Sequence, residues 1–497
     1  MKNMAKTLCL MALFAACMPK YPGEMDNPQP ATKVVEVKDV NSSVDVENGI
    51  YDLELFVRGT EDSLLLVSAG DKQSTILLTE SVWEKMYVRG IEVKNGKMTI
   101  TCKTLETGAT YEVKTAYLKA AQKRELIKGG DLSMLSQVEK NGGKYYDENN
   151  EEGDCFEICK RNGMNLVRLR LYNDPGNEDY YPSKTFFKGI QDEQNILDLA
   201  KRAKAAGMQI ELTFHYSDSW TNGGEQYKPH EWQDVKSQEE LGNKVYEYTK
   251  DFLQKMVSQG TAPEYVSLGN EIQAGLLFGA TKEVILGEGE NTWKELMPTD
   301  SLINGYCDNL LKVADLLNQG SKAVREICPE AKIIIHLTTS SDVTIDTFKW
   351  FCSGMRNGSL DYDIIGASYY PFYGNKAIEE MIAAAENLCD IYDKDFIFME
   401  TGFAWNSVLE DGSIGQIANN DPYKDMTPEA QRRFLLSMTE QINSGSGRIL
   451  GYIYWDPIYI AAPNCGWAVG EKNVTGNSTL FDFSGQMLSA WDAMRYN

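Results

Sequence analysis

At 497 residues the chain has room for more than one domain, or for one large barrel with attachments. Its hydrophobic (42%) and charged (24%) fractions are usual for a globular protein, and its net charge of −23 argues against nucleic acid or an anionic membrane surface as a partner. Acidity is compatible with a neutral substrate but also promotes solubility, so the charge excludes more than it predicts.

The N-terminus has the order of features typical of a secretory signal. Lys2 and Lys6 precede an apolar run over 8–14, and two small residues then come directly before Cys17. A cysteine in this position resembles a bacterial lipobox, in which Cys17 is lipidated; the alternative is an ordinary signal peptide with a chance cysteine. The run is too short for a membrane span, which needs about 20 residues. We therefore expect a lipoprotein-type signal over 1–17, export, and a lipid anchor at the cell envelope or cell surface.

A small all-β region is predicted next. Residues 18–32 are rich in Pro, Asn and acidic residues and are expected to form a tether. From 33 to 120 the sequence changes to short β-like runs, and Asn95-Gly96 between two alternating segments indicates a hairpin. Several short strands with regular turns predict a β-sandwich-like domain. Its role is open between a carbohydrate-binding module and a spacer.

Beyond residue 124 apolar strand-like runs alternate with amphipathic helical stretches. The eight runs are LIKGGDLS, NLVRLRLY, QIELTFHYSD, YVSLGNE, KIIIHLTT, DIIGASYYPF, FIFMETGF and GYIYWDP. The clearest helices are predicted over 195–206, 239–259, 302–327, 377–392 and 427–443. This α/β pattern predicts a (β/α)8 TIM barrel over 124–497 rather than an open sheet. No glycine-rich phosphate loop follows a strand, which disfavours a nucleotide-binding fold.

Chemistry-bearing side chains stand at almost every predicted strand end. In a barrel the carboxyl ends of the strands face one cleft, so these residues are considered together. In strand order they are Asp131; Arg168 and Arg170; His215, Asp218 and Trp220; Asn270 and Glu271; His336; Tyr369; Glu400; and Trp455. Such a set is hard to explain by stability alone.

Two glutamates in this set favour hydrolysis of a glycosidic bond. Glu271 and Glu400 each end a short apolar run, on strands far apart in the sequence. A retaining glycosidase needs one carboxylic acid that protonates the leaving oxygen and one ionised carboxylate about 5–5.5 Å away that attacks the anomeric carbon. We predict that these two glutamates are the proton donor and the nucleophile.

The other strand-end residue types suit the same reaction. An arginine and a tyrosine hydroxyl near the nucleophile would keep it ionised and oriented. Asn270, next to the acid candidate, can bind the sugar 2-hydroxyl. The rings of Trp220, Trp455 and Tyr373 offer flat apolar faces to the C–H faces of sugars.

Each signal has a structural alternative when taken alone. Asn-Glu occurs by chance and can cap a helix. Trp455 and Tyr369 could be packing residues, and His215 and His336 could be buried histidines with satisfied hydrogen bonds. A catalytic metal is disfavoured because no HExxH or HxH spacing occurs. Taken together at eight strand ends, the residues favour a functional cleft.

The strand-end motifs also carry a family resemblance. They are GGDLS (129–133), NLVRLRLYNDP (165–175), FHYSDSW (214–220), SLGNEIQAGLL (267–277), IIIHL (333–337), GASYYPFYG (366–374), METGF (399–403) and YIYWDP (452–457). This part of the chain resembles the endo-β-1,4-galactanases of glycoside hydrolase family 53, within the clan of retaining (β/α)8 glycosidases. The resemblance does not include the N-terminal β region.

The resemblance implies roles for individual residues. Glu271 matches the family's proton donor and Glu400 its nucleophile, and Asn270 matches the asparagine beside the donor. Arg170 corresponds to the arginine that supports the nucleophile, or Arg168 if the register differs. The matching residues of the central sugar subsite are His215, His336, Tyr369 and Trp455, with Asp131, Asp218 and Trp220 as further substrate-binding candidates.

Two departures from the family pattern are apparent. The eighth-strand motif, usually YWEP, is YWDP here, which is not expected to affect Trp455. Some bacterial members bind calcium between the loops after strands seven and eight, partly through a histidine, and no histidine follows His336. No cofactor is expected to be required, and calcium is an expectation only as a structural ion. Its oxygen ligands would come from Asp411, Asn419, Asn420 and Asp421.

The sequence thus predicts a secreted, surface-anchored arabinogalactan endo-β-1,4-galactanase. Its expected partners are β-1,4-galactan or galactooligosaccharides, with the membrane reached only through the lipid anchor, no nucleic acid, and a monomeric protein. The alternatives are a related retaining endo-β-1,4-glycanase acting on mannan or glucan, and a non-catalytic glycan-binding protein.

Overall fold

The computed structural model describes residues 34–496 except 62, 79, 81–82, 121–124, 177–187, 224–225, 236, 279–309, 340–344 and 373–375. The predicted signal with Cys17, the tether, Tyr373 and the start of the helix predicted over 302–327 lie outside the described residues. The chain divides into two compact units between residues 122 and 123. Among the residues described, no helix is both long and apolar enough to cross a bilayer.

The first unit contains two four-stranded antiparallel sheets. In chain order the strands are β1 (Val35–Glu36), β2 (Ser43–Asp45), β3 (Gly49–Gly59), β4 (Leu64–Ala69), β5 (Lys72–Leu77), β6 (Glu84–Val93), β7 (Lys97–Thr104) and β8 (Tyr111–Ala120). One sheet has the order β1-β8-β3-β6 and the other β2-β7-β4-β5. Apolar side chains that alternate along the strands pack into one core, including Leu53 and Leu55 on β3 and Leu65 and Val67 on β4. The predicted all-β N-terminal region is confirmed.

The predicted hairpin at Asn95-Gly96 is wrong, although the turn exists. β6 pairs with β3, whereas β7 pairs with β2 and β4, so the turn carries the chain from one sheet to the other. Gly96 has a φ of 68°, which suits glycine, and its amide donates to Asn48 Oδ1. A local turn signal does not contain the information about which sheet each strand joins.

The second unit is a closed barrel of eight parallel strands, as predicted. The strands are β9 (Ile127–Asp131), β12 (Leu166–Leu171), β13 (Gln209–Phe214), β14 (Tyr265–Leu268), β15 (Lys332–Thr338), β16 (Ile364–Ser368), β17 (Asp395–Thr401) and β18 (Ile449–Tyr454). β18 pairs with β9 and closes the barrel. A small ribbon, β10 (Tyr145–Tyr146) and β11 (Glu152–Gly153), lies between the first two barrel strands in sequence.

Helices follow most of the barrel strands. Those in the described residues are α1 (Leu135–Lys140), α2 (Cys155–Arg161), α3 (Glu193–Ala205), α4 (Gln238–Ser258), α5 (Leu310–Ile327), α6 (Ile345–Asn357), α7 (Ile378–Tyr392), α8 (Pro428–Ser444) and α9 (Trp491–Arg495). Local chemistry sets several starts: Asp192, Ser237 and Thr427 accept backbone N–H groups at the first turns of α3, α4 and α8. The clearest predicted helices correspond to α3, α4, α5, α7 and α8, whereas α6 was not predicted.

Alternation along the barrel strands separates two apolar layers. The inner layer closes the barrel floor and comprises Ile127, Leu166, Ile334, Ile364, Ile397, Met399 and Ile453. Residues at the intervening positions, such as Val167 and Leu169 on β12, belong to the larger core that includes the helices. Beyond this floor, the side chains at inner positions therefore line the barrel interior near the carboxyl ends of the strands.

Candidate active site

Glu271 lies on a turn just beyond the fourth barrel strand. β14 ends at Leu268, and Gly269 (φ 96°) and Glu271 (φ 52°) then adopt left-handed conformations. A non-glycine residue in this region is strained, and such strain is typical of functional sites. Gln226 Nε2 donates to the carbonyl oxygen of Asn270 at 2.6 Å, which ties the turn to the preceding loop. The turn holds the half-buried Glu271 side chain at the barrel mouth.

A β-bulge directs Glu400 into the barrel. The register between β16 and β17 runs from Ala367 opposite Phe398 to Ser368 opposite Glu400, so Met399 is the extra residue. Met399 belongs to the inner floor, and strict alternation would turn Glu400 outwards. Because of the bulge both side chains face inwards, and Glu400 is only 6% exposed.

The two glutamates meet in space as predicted from their positions on separate strands. Three atoms lie within 4.8 Å of one another: one carboxylate oxygen of Glu271, one of Glu400 and a ring nitrogen of His336. Two carboxyl groups at this spacing can act on the same bond of a bound molecule.

Two donors hold the Glu400 carboxylate. Arg168 Nη1 donates to Oε1 at 2.6 Å and Tyr370 Oη donates to Oε2 at 2.7 Å. The second Arg168 nitrogen, Nη2, donates to Asn270 Oδ1 at 2.6 Å, so one guanidinium orients residues on both sides of the cleft. Hydrogen bonds from a guanidinium and a phenol stabilise the negative charge that a nucleophile carries.

The arginine assignment is corrected from Arg170 to Arg168. Both side chains occupy inner positions of β12, but Arg170 stands two residues further along the strand and pairs with other carboxylates. Its Nε lies 3.0 Å from Asp131 Oδ2 and its Nη2 donates to Asp456 Oδ1 at 2.6 Å. Arg170 and Asp131 are almost completely buried, so they offer no surface to a sugar.

The departure from the family motif at the eighth strand falls in this buried network. Asp456 has a φ of 47° and is 1% exposed. Burial raises its pKa to about 7, although the charge of Arg170 acts in the opposite direction. The adjacent Trp455 still faces the cleft side of the barrel, where it packs edge-on against Tyr370.

The tyrosine assignment is also corrected, from Tyr369 to Tyr370. Tyr369 packs against Phe398 and Phe434 in the outer core, and its hydroxyl donates to the carbonyl oxygen of Lys376. Alternation along β16 explains the difference, because Ile364 and Ser368 face inwards and place Tyr370 on the same side.

The surroundings of Glu271 favour its protonated form near neutral pH. Burial of its carboxyl, and then the negative charge of Glu400, raise the pKa of Glu271 to about 7. The hydroxyls of Ser368 and Thr338 act in the opposite direction. A carboxyl group that keeps its proton up to this pH can serve as a general acid.

His215 offers a free N–H donor. Burial, followed by the charges of Arg168 and Arg170, lowers its pKa well below the ordinary value, so the ring is neutral. Thr221 contacts Nδ1 with its hydroxyl at 2.7 Å and with its backbone amide at 3.3 Å. Because the amide can only donate, Nδ1 accepts and the ring hydrogen is on Nε2. Nε2 has no hydrogen-bond partner among the described residues. This N–H is therefore available for a substrate hydroxyl.

Three tryptophans form a cluster at the carboxyl ends of the strands. Trp220 and Trp467 stack with ring centroids 5.3 Å apart, and Trp455 meets their edges at 6.0 and 5.9 Å. Trp220 and Trp467 are partly exposed, so the tryptophan cluster presents apolar rings to the solvent. Trp467 was not predicted, because it lies in the long loop after β18, where no strand pattern marks its position.

The remaining predicted residues are buried, and their side chains hold the site together. Asp218 accepts the backbone amides of Asp174 and His230, and it is 1% exposed. Asn270 uses its amide to donate to the carbonyl oxygen of Thr221 at 2.9 Å, which leaves one amide hydrogen for a ligand. His336 is fully buried and contacts Ser368.

The sequence interpretation missed a buried carboxyl on β13. Glu211 is fully buried, accepts a hydrogen bond from Thr213 Oγ1 and lies 3.5 Å from Arg168 Nε. Thr213 Oγ1 also accepts from Arg168 Nε at 3.1 Å, so threonine and glutamate hold the inner side of the guanidinium. A glutamate inside the apolar strand QIELTF was the available signal, because buried strands rarely contain an unpaired charge.

The four candidate calcium ligands do not fit a shared site. Asp411 Oδ2 pairs with Lys472 Nζ at 2.9 Å, and Asp421 Oδ2 pairs with Lys424 Nζ at 2.7 Å. The Asn419 side chain bonds both backbone groups of Ala404, and Asn420 Nδ2 donates to the carbonyl oxygen of Phe372. Calcium needs six to eight converging oxygens, and these side chains are engaged in different directions.

Comparison with known proteins agrees with this geometry. The model of glycosyl hydrolase family 53 matches residues 127–494. A protein named arabinogalactan endo-beta-1,4-galactanase from Thermothelomyces thermophilus is 30% identical over 370 residues, which cover 73% of this chain and 97% of the relative. The Cellvibrio japonicus protein of the same name is 29% identical and covers 71% and 86%.

Solved structures agree as well. The family 53 catalytic domain from Ignisphaera aggregans has a TM-score of 0.63 and 31% identity, and the match covers 74% of this chain and 95% of that domain. A fungal β-1,4-galactanase has a TM-score of 0.60 and 26% identity, with coverage of 75% and 100%. The paired glutamates at the mouth of a closed barrel thus occur in a chain that belongs to glycosyl hydrolase family 53, and the protein is a glycoside hydrolase.

Proposed function

We propose that the protein is an endo-β-1,4-galactanase that cleaves galactan chains with retention of configuration. The observation that carries the mechanism is the separation of Glu271 and Glu400, whose carboxylate oxygens approach within 4.8 Å. Retaining glycosidases have carboxyl groups about 5–5.5 Å apart, whereas inverting ones leave about 6.5–9.5 Å for a water molecule. The galactan substrate is proposed from the family and from the names of the relatives.

The two glutamates divide the reaction between them. Glu400, stabilised by Arg168 and Tyr370, attacks the anomeric carbon while Glu271 gives its proton to the departing glycosidic oxygen. Glu271, now ionised, then removes a proton from water, and the resulting oxygen nucleophile releases the sugar from Glu400. Two inversions at one carbon give net retention.

Two measurements on linear β-1,4-galactan test this proposal. A time course of product length is expected to show long oligomers first, and galactose or galactobiose alone at early times would contradict endo cleavage. Proton NMR of the first products is expected to show the β-anomer; an initial α-anomer would contradict retention. Parallel assays on β-mannan and β-glucan separate galactan from the alternative substrates.

A matched pair of variants tests the role of Glu400. Glu400→Gln removes the nucleophilic charge and is expected to abolish turnover while the protein stays folded. Glu410→Gln, the same substitution at an exposed position, is expected to retain wild-type activity. Near-wild-type hydrolysis by Glu400→Gln would contradict the assignment.

We also propose that the enzyme is exported and anchored through a lipid on Cys17. Support comes from the order of basic, apolar and small residues before this cysteine. In cells, the wild-type protein is expected to partition with membranes, and Cys17→Ala is expected to remove it from that fraction. Equal membrane association of both proteins would contradict the anchor.

A further inference from the structure

A hydrogen-bonded chain of buried side chains ends on the acid/base candidate. Ser368 Oγ lies 2.7 Å from Glu271 Oε1, and His336 Nε2 lies 2.8 Å from the same Oγ. Ser368 and His336 are both fully buried. The mechanism above assigns neither of them a step.

The position of the ring hydrogen of His336 determines which group donates in each of these hydrogen bonds. Burial lowers the pKa of His336 well below the ordinary value, so the ring carries one hydrogen. Nδ1 has no hydrogen-bond partner among the described residues, whereas Nε2 faces Ser368. A buried N–H without an acceptor is rarer than a buried acceptor without a donor, so the hydrogen belongs on Nε2. His336 then donates to Ser368 Oγ, which leaves the serine hydrogen for Glu271.

We infer that Ser368 is a positioning residue for Glu271, which rests on the acid/base role proposed above. Its hydroxyl donates to Oε1 of Glu271 both before and after proton transfer. The proton that reaches the glycosidic oxygen is therefore carried by Oε2, and His336 fixes the rotation of the serine hydroxyl. Catalysis by a carboxyl group depends on which of its oxygens faces the leaving group. The hydrogen bond from Ser368 holds Oε1 and so leaves Oε2 to face it.

The other groups around Glu271 differ from Ser368 in their charge or in their hydrogen-bond partners. Glu400 on β17 contributes a negative charge and Arg168 on β12 a positive one. Tyr370, beyond β16, directs its hydroxyl to Glu400 instead. Thr338 on β15 is the other hydroxyl that lowers the pKa of Glu271. Ser368 is distinguished from these groups by its buried histidine partner.

Ser368→Ala tests the inference through the pH profile of kcat/KM. Loss of a donor to the ionised form is expected to move the alkaline limb upwards by about 0.5–1 pH unit, the equivalent of one ordinary hydrogen bond. The acid limb, which reports the nucleophile, is expected to stay in place. A downward shift would mean that the chain runs from Glu271 to His336, and an unchanged alkaline limb would mean that Ser368 is only structural; either result overturns the inference.

Two further variants distinguish the effect of the His336–Ser368–Glu271 hydrogen bonds from a general loss of packing. Ser321 is also buried, and its Oγ donates to the carbonyl oxygen of Asp361 far from the cleft. Ser321→Ala is expected to lower Tm without moving either limb. His336→Phe leaves Ser368 in place but removes its donor, so a smaller upward shift than in Ser368→Ala is expected. A larger shift would show that His336 acts on Glu271 directly and would overturn the role of Ser368.

A measurement without substrate separates this inference from the proposed function. Carbon-13 NMR titration of the side-chain carboxyl of Glu271, identified by its loss in Glu271→Gln, is expected to show a higher pKa in Ser368→Ala than in the wild type. If the wild type fails to cleave galactan, the proposed function is contradicted while this titration still decides the role of Ser368. Equal titration midpoints would overturn it.

Discussion

At the scale of residues, the active site depends on where each of two similar residues stands on its strand. Arg168 and Arg170 are both buried and both charged, but only Arg168 is hydrogen-bonded to Glu400. Tyr369 and Tyr370 are adjacent, and their hydroxyls bond to a backbone carbonyl and to the Glu400 carboxylate, respectively. Strand alternation thus separates the two tyrosines, and position along the same face of β12 separates the two arginines.

The two tyrosines provide a matched test. Tyr370→Phe removes one hydrogen bond to the Glu400 carboxylate and is expected to lower kcat by about 10- to 100-fold, because a bond to a charged group contributes about 1.5–3 kcal/mol. Tyr369→Phe removes a bond of similar length in the core and is expected to lower Tm while kcat changes less than about twofold. Steady-state kinetics and thermal unfolding of both variants check this. The reverse pattern would restore Tyr369 as the cleft residue.

At the scale of elements, eight strands and five of the helices were predictable from the sequence. The runs from LIKGGDLS to GYIYWDP are largely apolar because parallel strands are buried on both faces, and each run carries polar or charged residues at its carboxyl end. The positions of Glu271 and Glu400 followed from this pattern. Inner and outer positions could also have been assigned by counting from Ile364 to Tyr370, which would have avoided the tyrosine error.

Other parts of the site could not be predicted because they depend on contacts between distant segments. The bulge at Met399 is visible only in the register of β17 against β16, and without it Glu400 would face outwards. The contact of Trp467 with Trp220 depends on the path of a loop. Neither feature has a local sequence signal.

The loops after β17 and β18 lead to a prediction about calcium. Lys472 Nζ contacts Asp411 Oδ2 at 2.9 Å and Ser413 Oγ at 2.6 Å, so an ammonium group joins the two loops where a cation was expected. Addition of EDTA is therefore expected to leave both Tm and galactan hydrolysis unchanged. Calorimetry and activity assays with and without added calcium check this. A clear gain of Tm with calcium would contradict it and would return Asp411 to the list of ligands.

At the scale of the whole molecule, buried carboxyl groups couple stability to pH. Burial is the main cause that raises the pKa of Glu211, Asp218 and Asp456, each to about 7. In the unfolded chain such groups titrate near about 4. Between these values the folded protein retains protons that the unfolded chain has released, so the contribution of these groups to stability is present at low pH and is lost as the pH rises through about 7.

Glu211→Gln isolates one of these contributions. The amide cannot ionise, so the decrease of Tm between pH 5 and pH 8 is expected to be smaller in the variant than in the wild type. Thermal unfolding at several pH values measures this, with the exposed Glu410→Gln as the control that keeps the wild-type slope. An identical slope in Glu211→Gln and the wild type would show that Glu211 titrates at an ordinary pH in the folded protein.

Closure of the barrel by β18 and β9 has a consequence for how the protein acquires activity. The reacting groups come from strands that are remote in sequence, and the last pairing joins the two ends of the catalytic unit. Closing a loop of this length costs conformational entropy, so we expect this pairing to form late in folding. During refolding, recovered hydrolysis is therefore expected to lag behind the circular dichroism signal of the helices, because only the closed ring of strands brings the reacting groups together.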